Sequence, residues 1–331
     1  MKTNDFVAFK RDNPRSYHPI FDEDMFRLIT PEIEQLQRKV TELIYLNATG
    51  AAIIGFSRAG KTIALESLCG NIYSRTGNLV PVKRYSVHRR DQKSIKQLFQ
   101  NIFKKFNLYY KPRESLEEFI DTLTIHLAEL AHTYQSRNVL FVVDEAQRLK
   151  VDQIDVFSEL YDELKRVHSI VLTVVFVGNK GQLGTLLREV VDSCNEHIEG
   201  RFFRRIIEFH GIRNAQEVRT CLSQYDKLKY PEHTGPTYTE HFLREDFENG
   251  FRLADCTEGM WDTFHEHQKK LKINEWGMEY FTQAVKVLLV DYLPKYGISE
   301  FSNEMVKLCI DASTLESDLR KKTLMEEILD D

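Results

Sequence analysis

The chain has 331 residues, of which 42% are hydrophobic and 29% charged, the proportions of a globular protein rather than a disordered or fibrous one, with room for roughly two domains. The formal net charge of −5 means that any contact with a polyanion must be local, not spread over the molecule. No stretch approaches the ~18 apolar residues needed to span a bilayer. Five scattered cysteines (Cys69, Cys194, Cys221, Cys256, Cys309) form no C-x-x-C pair, which argues against structural zinc. The opening MKTNDFVAFKRDNPRSYHP carries neither an apolar core nor a small-residue cleavage site, so a reducing cytoplasmic location is expected.

Residues 1–29 read as an N-terminal extension. The first helix is expected over TPEIEQLQRKVTELIYL, with Thr30 at the N-cap, Pro31 at the first helical position, and Glu32 and Glu34 in the first turn. A short apolar strand near 51–54 then runs into GFSRAGKT, the pattern G-x-x-x-x-G-K-[ST] spelled by Gly55, Phe56, Ser57, Arg58, Ala59, Gly60, Lys61 and Thr62. A triphosphate is densely anionic and needs several backbone N–H donors converging on it with no side chains in the way. Gly55 and Gly60 permit such a turn, Lys61 would reach the β- and γ-phosphates of ATP, and the Thr62 hydroxyl would ligate Mg²⁺. A chance match in a glycine-containing turn is the competing reading, and the strand–turn–helix context speaks against it.

The helix after this loop is expected to run to about 76, followed by a strand over roughly 79–87 and helices over QKSIKQLFQNIFKKF and ESLEEFIDTLTIHLAELAHTY. From Lys83 to Arg113 there are ten Lys/Arg and one acid, which singles this stretch out in an acidic chain as a strip able to neutralise phosphates without reading bases. Arg89, Arg90 and Lys93, where the helix is entered, are the candidate contacts to double-stranded DNA. A solvated face balancing the acids of ESLEEFIDTL is the alternative. Tyr109 and Tyr110 suit base stacking or, more simply, packing.

Residues 139–145, VLFVVDE, form a buried strand ending in two carboxylates. Asp144 would hold Mg²⁺, and Glu145 would orient and polarise the attacking water. Consecutive strand residues point opposite ways, but both can face a crevice where the strand stops. An acidic surface turn is the bland alternative. The helix DQIDVFSELYDELKRV follows, then the strand SIVLTVVFVGN, whose terminal Asn179 can position water or simply start a turn. In EGRFFRRIIEFHGI, Arg201, Arg204 and Arg205 precede a short strand; Arg201 is the first choice for an arginine offered to a neighbouring subunit's γ-phosphate, with the other two as the fallback. Strands alternating with helices imply a parallel sheet covered on both faces, a three-layer αβα P-loop domain over 30–212. A helical lid over 213–315 is expected next, with an inserted loop near 227–250, and a charged tail over 316–331.

With the phosphate loop, VVDEAQRL, Asn179 and GRFFRR in order, followed by TEGMW, the chain resembles an AAA+ ATPase. More narrowly it resembles the TnsC/TniB/MuB group, the ATP-dependent target regulators of DNA transposition, over roughly residues 30–315. The resemblance implies assembly on duplex DNA with ATP as a ring or helical oligomer, and partners in a transposase and a target-selection protein of the TniQ type. TEGMWDTF places Met260 and Trp261 where many AAA+ lids carry a phosphate-touching arginine, and the nearest arginine is Arg252; this departure suits slow hydrolysis. Two other readings stay open: a DNA motor or helicase, from the DEAQ sequence, and a signalling or secretion ATPase that binds protein rather than DNA.

Overall fold

The structure is a computed structural model that describes residues 18–22, 26–111, 113–193 and 195–319. Most of the expected N-terminal extension, the end of the charged tail and Cys194 lie outside the described residues. Contacts divide the chain into two compact units, one made of Ile33–Ser57 and Lys61–Phe209, the other of the described parts of Met1–Glu32, Arg58–Gly60 and His210–Asp331.

The first unit is built on five strands, β1 (Gly50–Gly55), β2 (Val82–Ser86), β3 (Asn138–Asp144), β4 (Val171–Asn179) and β5 (Ile206–Glu208). They pair in the order β2-β3-β4-β1-β5, and every ladder is parallel. β3 is buried at every position, and β4 at all but its two ends. Such unbroken apolar runs, Val139–Val143 and Val174–Val177, are what a strand covered on both faces requires. The covering helices are α1 (Pro31–Tyr45), α2 (Lys61–Ser67), α3 (Ile95–Phe106), α4 (Leu116–Thr133), α5 (Val151–His168), α6 (Lys180–Asp192) and the single turn α7 (Glu196–Ile198). Phe141, Phe157, Phe176 and Phe202 link strands to helices through successive edge-to-face and tilted contacts, with centroids 5.7, 5.5 and 5.4 Å apart.

Two local expectations fail. α2 stops at Ser67 instead of continuing to about 76, because Gly70 adopts φ +79° and an antiparallel bridge between Tyr73 and Leu79 pulls the following residues into a turn. α6 has no counterpart among the expected elements. Two glycines, Gly181 and Gly184, in its first turns mask the apolar spacing of Leu183, Leu186 and Val190, which are its buried face.

The second unit is helical: α8 (Ala215–Tyr225), α9 (Tyr238–Phe242), α10 (Arg244–Glu248), α11 (Thr257–Leu271), α12 (Met278–Val287), α13 (Leu293–Tyr296) and α14 (Asn303–Ala312). Its core centres on Trp276, stacked on Phe264 at 4.4 Å and meeting Phe281 edge-on at 5.1 Å. The segment expected as a loop near 227–250 is more ordered than that: an isolated bridge joins Lys229 to Thr237, and α9 and α10 follow. Thr237 explains the start of α9, since its hydroxyl accepts from the Glu240 amide while the Glu240 carboxylate accepts from the Thr237 amide. No helix among the described residues is long and apolar enough to cross a membrane.

Candidate functional site

Parallel register brings the carboxyl ends of the inner strands to one edge of the sheet. Gly55 stands opposite Asn179, and Ser86 opposite Asp144, so β1 to β4 all finish there. This edge is where open α/β sheets bind ligands.

The loop leaving β1 reverses direction through two left-handed residues, Arg58 at φ +63° and Gly60 at φ +99°. Glycine is required at 60 by that angle. At Gly55 the reason differs: a Cβ would collide with the Phe209 carbonyl oxygen. The Lys61 ammonium bends back across the loop and donates to the carbonyls of Gly55 at 2.9 Å and Phe56 at 2.6 Å. Arg58–Gly60 are counted with the helical unit, where Arg58 pairs with Glu279 and, at 3.1 Å, with Asp318.

Asp144 is only 7% exposed. Its Oδ1 accepts from the Glu145 amide at 2.9 Å, and its Oδ2 from the Arg84 guanidinium at 2.6 Å. Arg84 also donates to the Thr62 carbonyl at 3.5 Å and the Glu66 carboxylate at 3.4 Å. One guanidinium thus gathers both residues expected to hold a metal, Thr62 and Asp144. Nothing in the sequence marks Arg84 for this, because it lies inside the basic strip and its partner is 60 residues away.

Glu145 has φ +57° and ψ +34°, left-handed values that a non-glycine residue adopts at a cost of about 1 kcal/mol. This breaks the strand's alternation right after Asp144. Its Oε2 accepts from Arg148 at 2.7 Å and from the Gln147 amide at 3.1 Å. Asn179 closes β4 and caps α6, its Oδ1 accepting from the Gly181 amide at 3.2 Å. The turn and the edge position coexist, as the sequence allowed.

Arg201 lies apart from this group. It pairs with Asp162 of α5 at 2.8 Å and sits over the Tyr161 ring, whereas Arg204 and Arg205 are exposed. Arg252 is occupied in its own turn, donating to the carbonyls of Phe247 and Phe251, and Met260 is fully buried core.

Arg89, Arg90 and Lys93 are exposed on a 3-10 turn (Arg89–Lys93) that leads into α3. The turn is rigidly built. Buried Asp91 accepts from the Tyr85 hydroxyl at 2.6 Å, the His88 amide at 2.7 Å and the Asn101 amide group. Burial, then the bond to Asp91, pushes the Tyr85 phenol far above its usual range. The basic strip is not continuous: Arg84 belongs to Asp144, Lys83 packs over Phe106 with its ammonium pKa lowered by burial, and Lys96 donates to the Glu114 carbonyl. Tyr110 packs against Phe119, while Tyr109 is 81% exposed.

These features fit a magnesium nucleotide. The loop is reversed at Arg58 and Gly60, an ammonium lies over its mouth, and a nearly dry carboxylate already holds a cation. A P-loop αβα unit with a parallel sheet, joined in one chain to a helical region, is the AAA+ fold. Residues 46–187 match the family model described as AAA domain. No curated protein matches the chain. Among solved structures, ORC2 of Aeropyrum pernix, determined as ADPNP–ADP complexes, has 14% sequence identity and a TM-score of 0.50, with 91% of this chain and 72% of that one covered. Cdc6p of Pyrobaculum aerophilum has 14% identity and a TM-score of 0.45, covering 93% of this chain and 89% of that one. A Walker-type ATPase of Pyrococcus abyssi has 18% identity and a TM-score of 0.47, covering 93% and 76%.

Proposed function

We propose that this chain is an ATP-dependent, DNA-binding AAA+ regulator of DNA transposition. It gathers on duplex DNA when ATP is bound, links a target-selection protein of the TniQ type to a transposase, and uses slow hydrolysis as its release switch. The observation that carries the nucleotide part is the meeting of the Gly55–Thr62 loop, Asp144 and Glu145 at one sheet edge. The exposed Arg89–Lys93 turn supports the DNA part, and the resemblance of the motif series to the TnsC/TniB/MuB group supports the transposition part.

Lys61 and the loop amides would hold the phosphates, and Thr62 and Asp144 the Mg²⁺, which supplies charge neutralisation at the phosphoryl group. Lys61 exchanges two carbonyl acceptors for anionic oxygens, which make stronger, charge-assisted bonds. Glu145 takes the proton of the attacking water, and Asn179, at the adjacent strand end, helps to hold that water. The arginine given to a neighbouring copy comes from Arg201, Arg204 and Arg205; Arg201 has to leave Asp162 to serve.

Glu145→Gln tests the proposal. A general base contributes about 10²–10⁴-fold in rate, so the variant should hydrolyse ATP that much more slowly and stay on duplex DNA as long-lived assemblies visible by electron microscopy. A variant that remains monomeric with ATP, Mg²⁺ and DNA contradicts it.

A further inference from the structure

The phosphate loop carries an arginine where its own backbone favours glycine. Arg58 has φ +63°, a left-handed angle that costs a residue with a side chain free energy and persists only where the surroundings over-determine it. The pattern G-x-x-x-x-G-K-[ST] does not ask for a long cation at that position. What holds Arg58 there lies outside the loop.

Its partners all belong to the helical unit, which includes Arg58–Gly60. One terminal nitrogen pairs with the Glu279 carboxylate on α12, and the other lies 3.1 Å from Asp318 Oδ2. The guanidinium carbon stands 5.2 Å from the centroid of the Tyr280 ring, within cation–π reach. The Arg58 carbonyl accepts from the Glu279 amide at 3.4 Å. The fit around it is close: a Cβ on Gly60 would stand 3.3 Å from the Met278 side chain, and one on Gly277 3.2 Å from the Arg58 carbonyl oxygen. Asp318 is anchored in turn, its Oδ2 accepting from the Tyr280 hydroxyl at 3.2 Å. The segment that carries it leaves α14 through a left-handed Thr314, buries Leu315 and pairs Glu316 with Lys270 at 3.1 Å. Each ion pair is partly exposed and would be a weak anchor alone. The combination is what matters, because one guanidinium ties the loop to α12 and to the segment after α14.

We infer that Arg58 is a positioning residue that couples occupancy of the phosphate loop to docking of residues 314–318. The inference rests on the ATP-binding reading above and adds how the rest of the helical unit registers the nucleotide. With the tether made, the left-handed turn is set before any phosphate arrives, so less ordering remains to be done on binding. Linkage makes the effect reciprocal. A triphosphate that fixes the turn also fixes Arg58 against Glu279 and Asp318, and the segment after α14 docks more firmly; loss of the triphosphate loosens it. Residues 314–318 are thereby a nucleotide-dependent strap.

The test measures, in the full chain, binding of a fluorescent, slowly hydrolysed ATP analogue with Mg²⁺, and amide exchange with and without it. Arg58→Gly keeps the left-handed turn and removes the tether, so the fold is retained. Asp318→Asn leaves the loop untouched. In wild type the analogue slows exchange at 314–318 by about fivefold or more, the lower end of ordinary coupling between two sites. Arg58→Gly should weaken binding of the analogue by about the same factor and abolish that protection. Asp318→Asn should shift both readouts in the same direction by less, because Glu279 remains. Arg58→Lys, a point charge without the fork that spans both carboxylates, should fall between wild type and Arg58→Gly. Once Glu279→Gln and Asp318→Asn are combined, adding Arg58→Gly should change the affinity by no more than about twofold, since the partners it would lose are already gone. Unchanged or tighter binding in Arg58→Gly, or protection of 314–318 that survives it, overturns the inference and leaves the ATP reading standing. Failure of the wild-type protein to bind the analogue overturns both.

Discussion

The guanidinium of Arg84 on β2 donates to Asp144 at the end of β3 across a diagonal of the parallel ladder, at 2.6 Å. The carboxylate is nearly buried and would be costly to leave bare. Arg84 thus holds the position of positive charge that Mg²⁺ would share or take over. Arg84→Ala should lower stability by about 2 kcal/mol, below the full cost of breaking a buried pair because Arg84 is partly exposed. Mg²⁺ with an ATP analogue should raise the melting temperature more in the variant than in wild type, since the metal replaces the missing cation. Equal shifts would mean that Arg84 and the metal do not share Asp144.

The Arg89–Lys93 turn sets a quantitative expectation for DNA. Replacing Arg89, Arg90 and Lys93 together with alanine should weaken binding to all sequences alike, and flatten the dependence of log K on log salt by about 0.9 for each phosphate that the protein ceases to neutralise. These side chains are exposed, so thermal stability should hold within about 0.5 kcal/mol. An unchanged affinity and slope, measured by fluorescence anisotropy across a salt series, would remove the turn from the DNA interface.

In the helical unit, His18 is enclosed by the rings of Tyr238, His241 and Phe242, and its Nδ1 accepts from the Ile20 amide at 3.2 Å. Its Nε2 has no hydrogen-bond partner among the described residues. Burial, and then the neighbouring His241, lower its pKa from 6.5 to about 4. The unfolded chain therefore binds the extra proton first as pH falls, so the stability that neutral His18 contributes is complete above about 6.5 and is lost toward pH 4. His18→Phe should flatten that part of the melting-temperature profile between pH 7 and 5. A wild-type profile already flat over this range would show that His18 does not titrate as its surroundings demand.

Much of the sheet unit is legible in the sequence because its signals are local. VLFVVDE and SIVLTVVFVGN are apolar runs of strand length, and the loop motif announces the turn between β1 and α2. α6 is hidden by glycines that its buried leucines and valine override, and α2 ends early through a left-handed Gly70 that the helical spacing gives no reason to honour. Around Asp144 and Glu145 the strand end can be read, but the residues that handle them cannot. Arg84 reaches Asp144 only through strand pairing, and Glu145 takes a left-handed backbone without the Asn or Gly that would have signalled it. Arg148 carries a weak signal, an i,i+3 relation to Glu145, whereas its bond to Val87 is purely tertiary. The ten-residue basic count overstates the exposed strip, because sequence cannot tell Arg84 or Lys83, turned inward, from Arg89 and Arg90.

The central claim is that a nucleotide controls how copies of this chain gather. Sedimentation velocity of the wild-type protein with a short duplex, Mg²⁺ and a slowly hydrolysed ATP analogue measures this directly. A fast multi-subunit species that forms with the analogue and vanishes without it, and that Lys61→Ala fails to form, is the predicted result. Identical sedimentation with and without nucleotide would contradict the claim.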